Sequence, residues 1–134
     1  MRRRLLSVVL VLTLVVTGCS NDLDPIVGHW ETDGPQPEGF RDFGDNAEII
    51  VLKKGTASLG RADSMSLCGG ASVKVNKVTD DQASYRIVLP ENPFTWCLND
   101  VPQSLDVVVK RDALEATPTD SPTGEVYRFK RVVG

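Results

Sequence analysis

From Ile26 onward the apolar residues of this chain recur at every second position, and no window holds them at helical three-and-four spacing. Ile26, Gly28 and Trp30 alternate with Val27, His29 and Glu31. Ile49 and Val51 follow, blurred by Ile50 and Leu52. Then come Ala57 and Leu59; Val73 and Val75; Tyr85, Ile87 and Leu89; Leu105, Val107 and Val109; Leu114 and Ala116; Tyr127 and Phe129. Residues two apart on a strand project from the same face. Eight short runs, rich in Val, Ile, Tyr and Phe and each with one apolar face, predict an all-β antiparallel domain.

The segments between the runs sort by length. Lys53-Lys54-Gly55, Thr79 to Gln82 and Arg111-Asp112 read as tight turns, whereas Asp33 to Asn46, Gly60 to Ala71, Pro90 to Gln103 and Thr117 to Gly124 are long. Long and short alternate. In an up-and-down order, successive connections fall at opposite ends, so the long loops gather at one end and the tight turns at the other. Closing such a meander also removes the exposed edges of an open sheet. The expected architecture is an antiparallel up-and-down eight-stranded barrel, with its first strand starting at the tight-turn end.

The first eighteen residues belong to a different class. Arg2, Arg3 and Arg4 precede a twelve-residue apolar run, Leu5 to Val16, broken only by Ser7 and Thr13, and small residues then lead to a cysteine. This is the layout of a secretory signal. The run is too short for a transmembrane helix, which needs roughly 20 residues. Val16-Thr17-Gly18-Cys19 resembles the lipobox of bacterial lipoproteins, with valine in place of the usual leucine. The resemblance implies a signal helix cleaved before Cys19, lipid on the Cys19 sulfur, and an acylated N-terminus, with palmitate among the acyl groups such a site takes. Residues 1–18 are then the signal peptide, 19–25 a lipidated tether and 26–134 the barrel domain. The address is the outer face of the cell membrane. Ser20 is not the aspartate that retains such proteins at the inner membrane, so a two-membrane organism would place the chain on its outer membrane.

Removing residues 1–18 leaves 116 residues and changes 15 basic against 18 acidic residues to 12 against 18, a net charge of −6. That suits one modest domain. It argues against nucleic acid, which needs a basic patch to release counterions. Attachment to the membrane is expected through the acyl chains rather than through charge.

With Cys19 lipidated, Cys68 and Cys97 remain, and one pair in an exported chain reads as one disulfide. Closing a loop of about 30 residues stabilises a fold by roughly 3–4 kcal/mol in the chain-entropy account. Both cysteines fall in long loops, at the same end of the expected barrel.

Gly28-His29-Trp30 in the first run and Arg131 in the last resemble the Gly-X-Trp and final-strand basic residue of the lipocalin and fatty-acid-binding superfamily. The resemblance implies that Arg131 packs on Trp30 and that Gly28, Trp30 and Arg131 form a structural plug at one end of the barrel. A guanidinium over an indole contributes about 0.5–2 kcal/mol. Three features depart from the family. Arg111-Asp112 stands where Thr-Asp-Tyr is usual, no helix follows the last strand, and the domain is short. Compact lipocalin-like lipoproteins of bacteria are nearer.

Few residues offer chemistry. His29 is the one histidine and has outward parity, which suits neither a nucleophile–histidine pair nor a His/Cys metal cluster. Catalytic residues, resident metal and cofactors are accordingly not expected. Asp42, Asp45 and Glu48 read as a solvated acidic loop rather than a calcium site. The long loops carry apolar side chains: Phe40 and Phe43, Met65 and Leu67, then Phe94, Trp96 and Leu98. They either cap the barrel or form a rim that binds. The leading expectation is a monomeric, non-enzymatic envelope lipoprotein that binds a small apolar ligand at its long-loop end, with Phe40, Phe43, Phe94 and Trp96 as contacts. The alternative is a protein-interaction module, an inhibitor or envelope assembly factor, using the same apolar patch.

Overall fold

A computed structural model of the chain describes residues 21–38, 46–62, 67–90, 102–121 and 123–133, with the side chains of Leu67 and Cys68 excepted. Eight strands follow one another: β1 (Gly28–Thr32), β2 (Ala47–Val51), β3 (Thr56–Arg61), β4 (Leu67–Val78), β5 (Ala83–Val88), β6 (Ser104–Lys110), β7 (Ala113–Pro118) and β8 (Tyr127–Arg131). Each pairs antiparallel with the next, and β8 pairs back onto β1, so the sheet is a closed up-and-down barrel. The period-two pattern dictates which face is inside. Along β6, Leu105, Val107 and Val109 are buried while Ser104, Asp106 and Val108 are not; along β7 and β8, Leu114, Ala116, Tyr127 and Phe129 are inward.

The interior alternates bulk and space. Trp30, Tyr85, Tyr127 and Phe129 are fully buried, and Ala47, Ala57, Ala71, Ala83 and Ala116 stand at inward positions between them. A small barrel fills its lumen by such interleaving. Each aromatic buries roughly 150–250 Å², so these four side chains carry a large share of the core.

Tight turns close one end. Leu52 N donates to Thr56 O and Gly55 N to Leu52 O. Thr79 and Gln82 are joined through backbone and hydroxyl. Arg111 holds φ +57° in the two-residue β6–β7 turn. Two-residue hairpins require such positive φ to match strand twist.

Two expectations are corrected. Cys68 does not lie in a long loop: it is in β4, opposite Leu59 of β3, and the connection before β4 shrinks to 62–66. The cause is a bulge. Between Ala57 and Leu59 the β4 partners jump from Ala71 to Cys68, and this extra residue lets the ladder continue through Gly69 and Gly70. Second, Val75 is not core. It has inward parity opposite Tyr85, yet β3 ends its pairing at Ser72, so residues 74–78 run past the closed wall and pair with β5 alone. Val75 and Val78 are therefore exposed.

The stretch read as a tether is also partly structured. Asn21 to Val27 turn back on themselves through Asp24 N to Asn21 O and Ile26 N to Leu23 O. Ile26 is fully buried, and Leu23 packs against the core. Tyr85 donates its hydroxyl proton to Asp22 O at 2.7 Å. The expected signal segment, residues 1–18, and Cys19 lie outside the described residues.

Candidate functional site

The structure brings Gly28, Trp30 and Arg131 together at the tight-turn end. Trp30 and Arg131 are direct partners across β1 and β8. The guanidinium carbon lies 4.3 Å from the centroid of the Trp30 ring. Arg131 Nη1 donates to Val27 O and Nη2 to Pro25 O, each at 2.8 Å, while Nε meets Asp112 Oδ1 at 3.0 Å. The Trp30 indole N–H donates to Ile26 O at 2.9 Å. Gly28 has φ +139°, and a Cβ placed there would sit 2.8 Å from Arg131 Nη1. Glycine is what lets the guanidinium approach. The arginine thus ties the segment before β1 to the β6–β7 turn across the bottom of the core.

Burial leaves a mark on Tyr85 near this end. Desolvation, with Asp22 and Asp24 adding negative potential, pushes its phenol up to about 12. The neutral form that donates to Asp22 O is the one the fold selects.

At the opposite end, the inward residues nearest the long connections, Ala47, Leu89, Leu105 and Tyr127, are buried. Gln36 organises part of this rim: its amide donates to Asp33 O and Gly34 O, and its carbonyl accepts from Arg128 N. Gln103 donates to Leu89 O. Phe40, Phe43, Phe94, Trp96 and Cys97 lie outside the described residues, as do Asp42 and Asp45. One cavity lined by described residues, of about 300 Å³, sits at the tight-turn end among Thr79, Asp80, Asp81, Gln82, Arg111 and Pro25. Its walls are polar and charged, unlike an apolar carrier site.

One cluster was not anticipated. On the outer face of β1 and β2, His29 Nε2 is hydrogen-bonded to Glu48 Oε2 at 2.8 Å and lies 3.8 Å from Glu31 Oε1. Parity already puts His29 and Glu31 on one face. Glu48 joins them because β1–β2 pairing sets it directly opposite Glu31. In sequence alone Glu48 falls with Asp42 and Asp45.

No protein-family model, curated protein or solved structure matches this chain.

Proposed function

We propose that this chain is an exported, lipid-anchored and non-enzymatic barrel that works through its long-loop end. The observation that carries the reading is the asymmetry between the two ends. The N-terminal segment, the three tight turns and the Arg131 clasp share one end. Among the described residues, every exposed large apolar side chain is there too: Leu52, Val75, Val78 and Val133. An end that is shut, carries apolar side chains at its fringe and holds the segment that starts two residues after Cys19 in sequence suits a bilayer-facing base. The lipobox resemblance of Val16 to Cys19 supplies the anchor, and the opposite end is left for recognition.

That end can be used in two ways. A small apolar ligand needs room, and the described interior is filled up to Ala47, Leu105 and Tyr127. Any ligand must then sit above this layer, among the apolar loop residues. The same packing favours the second reading, in which the loops dock an envelope protein against a rigid base. The resemblance to compact lipocalin-like lipoproteins is compatible with either use.

The test purifies the protein from its native membrane, extracts bound lipid for mass spectrometry, and in parallel cross-links cells through a photoreactive residue at Phe43 or Trp96. A stoichiometric apolar molecule selects the ligand reading. A defined cross-linked partner selects the docking reading. Failure of both, or a Cys19→Ser form that is processed normally and stays in the membrane fraction, would overturn the proposal.

A further inference from the structure

We propose that His29, Glu31 and Glu48 form a binding site for a divalent transition-metal ion, with zinc the ion their chemistry suits best. The three donor atoms lie within 4.8 Å of one another on the outer wall of the barrel. Two come from alternate positions of β1, and the third from the β2 residue directly opposite Glu31. The ladder therefore fixes all three Cα positions, and only side-chain torsions remain to adjust.

The distances are close to what an ion requires. Zinc binds imidazole nitrogen and carboxylate oxygen at about 2.0–2.2 Å, so tetrahedral donors stand roughly 3.4 Å apart. The His29–Glu48 separation of 2.8 Å must open and the His29–Glu31 separation of 3.8 Å must close, each by well under an ångström, and the Glu31–Glu48 pair, within 4.8 Å, must close by up to about 1.4 Å. The side chains of His29 and Glu31 are 37% exposed, which leaves them that freedom, whereas Glu48 at 13% is held in place. Three protein donors on an open wall leave a fourth position for water.

Electrostatics points the same way. Like charges directly opposite across a ladder destabilise a sheet, and Glu31 and Glu48 are such a pair. One ionisable ring, on β1 itself, and one cation, on β8, face them. His29 is charged only when protonated, and Lys130 of β8 stands opposite Glu31 on its other side. A divalent ion between the carboxylates removes the repulsion, and the neutral imidazole is the form that coordinates it. One nitrogen and two carboxylates are a poor match for calcium, which takes six to eight oxygens.

His29 is the single histidine of the chain, so its ring resonances report on this site and on no other. The experiment titrates the purified full chain, stripped with chelator, with zinc chloride at pH 7.5 and follows those resonances. The expected result is a saturable shift complete at one equivalent and reversed by excess chelator. The Glu48→Gln and Glu31→Gln variants should each need at least tenfold more zinc, with circular dichroism confirming that the barrel is intact. Cobalt(II) should give a visible absorption band of four-coordinate type in the wild type and not in His29→Gln. Zinc that binds while the His29 resonances stay fixed, as binding to a cysteine would produce, overturns the proposal. So does unchanged affinity in both glutamine variants.

Discussion

Gly28→Ala should be far more damaging than a one-methyl change at a half-buried position suggests, and the damage should depend on Arg131. At φ +139° any residue with a Cβ is strained, which costs about 1–3 kcal/mol. The new Cβ would also meet Arg131 Nη1 at 2.8 Å, an atom already committed to Val27 O. Relief requires the guanidinium to move. Movement weakens its seat over the Trp30 ring, worth about 0.5–2 kcal/mol, and its charge-assisted hydrogen bonds to Val27 O and Pro25 O, of which about 1 kcal/mol is lost in part. The expected loss is roughly 2–5 kcal/mol, a large fraction of the 5–15 kcal/mol typical of a domain. In an Arg131→Ala background the clash is gone and only the backbone strain remains. Urea unfolding of the four proteins of this cycle, followed by far-ultraviolet circular dichroism, should therefore give a coupling of about 1–2 kcal/mol between the two sites. Equal cost for Gly28→Ala in both backgrounds would refute the close-approach reasoning.

Tyr85 links stability to alkaline pH. Its folded-state pKa of about 12 lies above the ordinary value of 10, so its contribution is fully present below pH 10 and is lost as pH rises towards 12; urea midpoints should fall across that window, and Tyr85→Phe should flatten the fall while costing about 1 kcal/mol at pH 7 for the bond to Asp22 O. Trp30→Ala should cost about 3–5 kcal/mol by leaving a cavity at the base of the core, whereas Trp30→Phe should cost appreciably less because most of the ring volume remains, both read from the same melts. Arg111→Gly should raise stability by about 0.5–1 kcal/mol, since glycine adopts the turn's positive φ without a Cβ penalty, and calorimetry would show it as a higher midpoint.

The eight strands were legible because each carries its own evidence. Tyr85, Ile87 and Leu89, or Leu105, Val107 and Val109, name their inward face without reference to any neighbour. Turn length then gave the order and the two ends. What escaped was what depends on register between strands. Val75 has the parity of a core residue, but its burial is decided by where β3 stops pairing, and nothing within β4 announces that. Cys68 is separated from the regular part of β4 by a bulge that the sequence does not reveal, so its place in a strand reads as a loop. Glu48 could be put beside His29 and Glu31 only by knowing how β2 slides against β1 across a 14-residue connection. Leu23 is illegible for a different reason. A turn that folds back as a lid has no periodicity, and its Pro25 and two aspartates look like solvated linker.

Residue 19 decides whether the shut, apolar-fringed end of the barrel faces a bilayer. Intact-mass and N-terminal fragment spectra of the chain recovered from its native membrane test this directly. A lipid-anchored barrel requires a polypeptide beginning at Cys19 whose first residue carries acyl chains. A chain that retains residues 1–18, or one cut elsewhere with an unmodified Cys19 thiol, would contradict it.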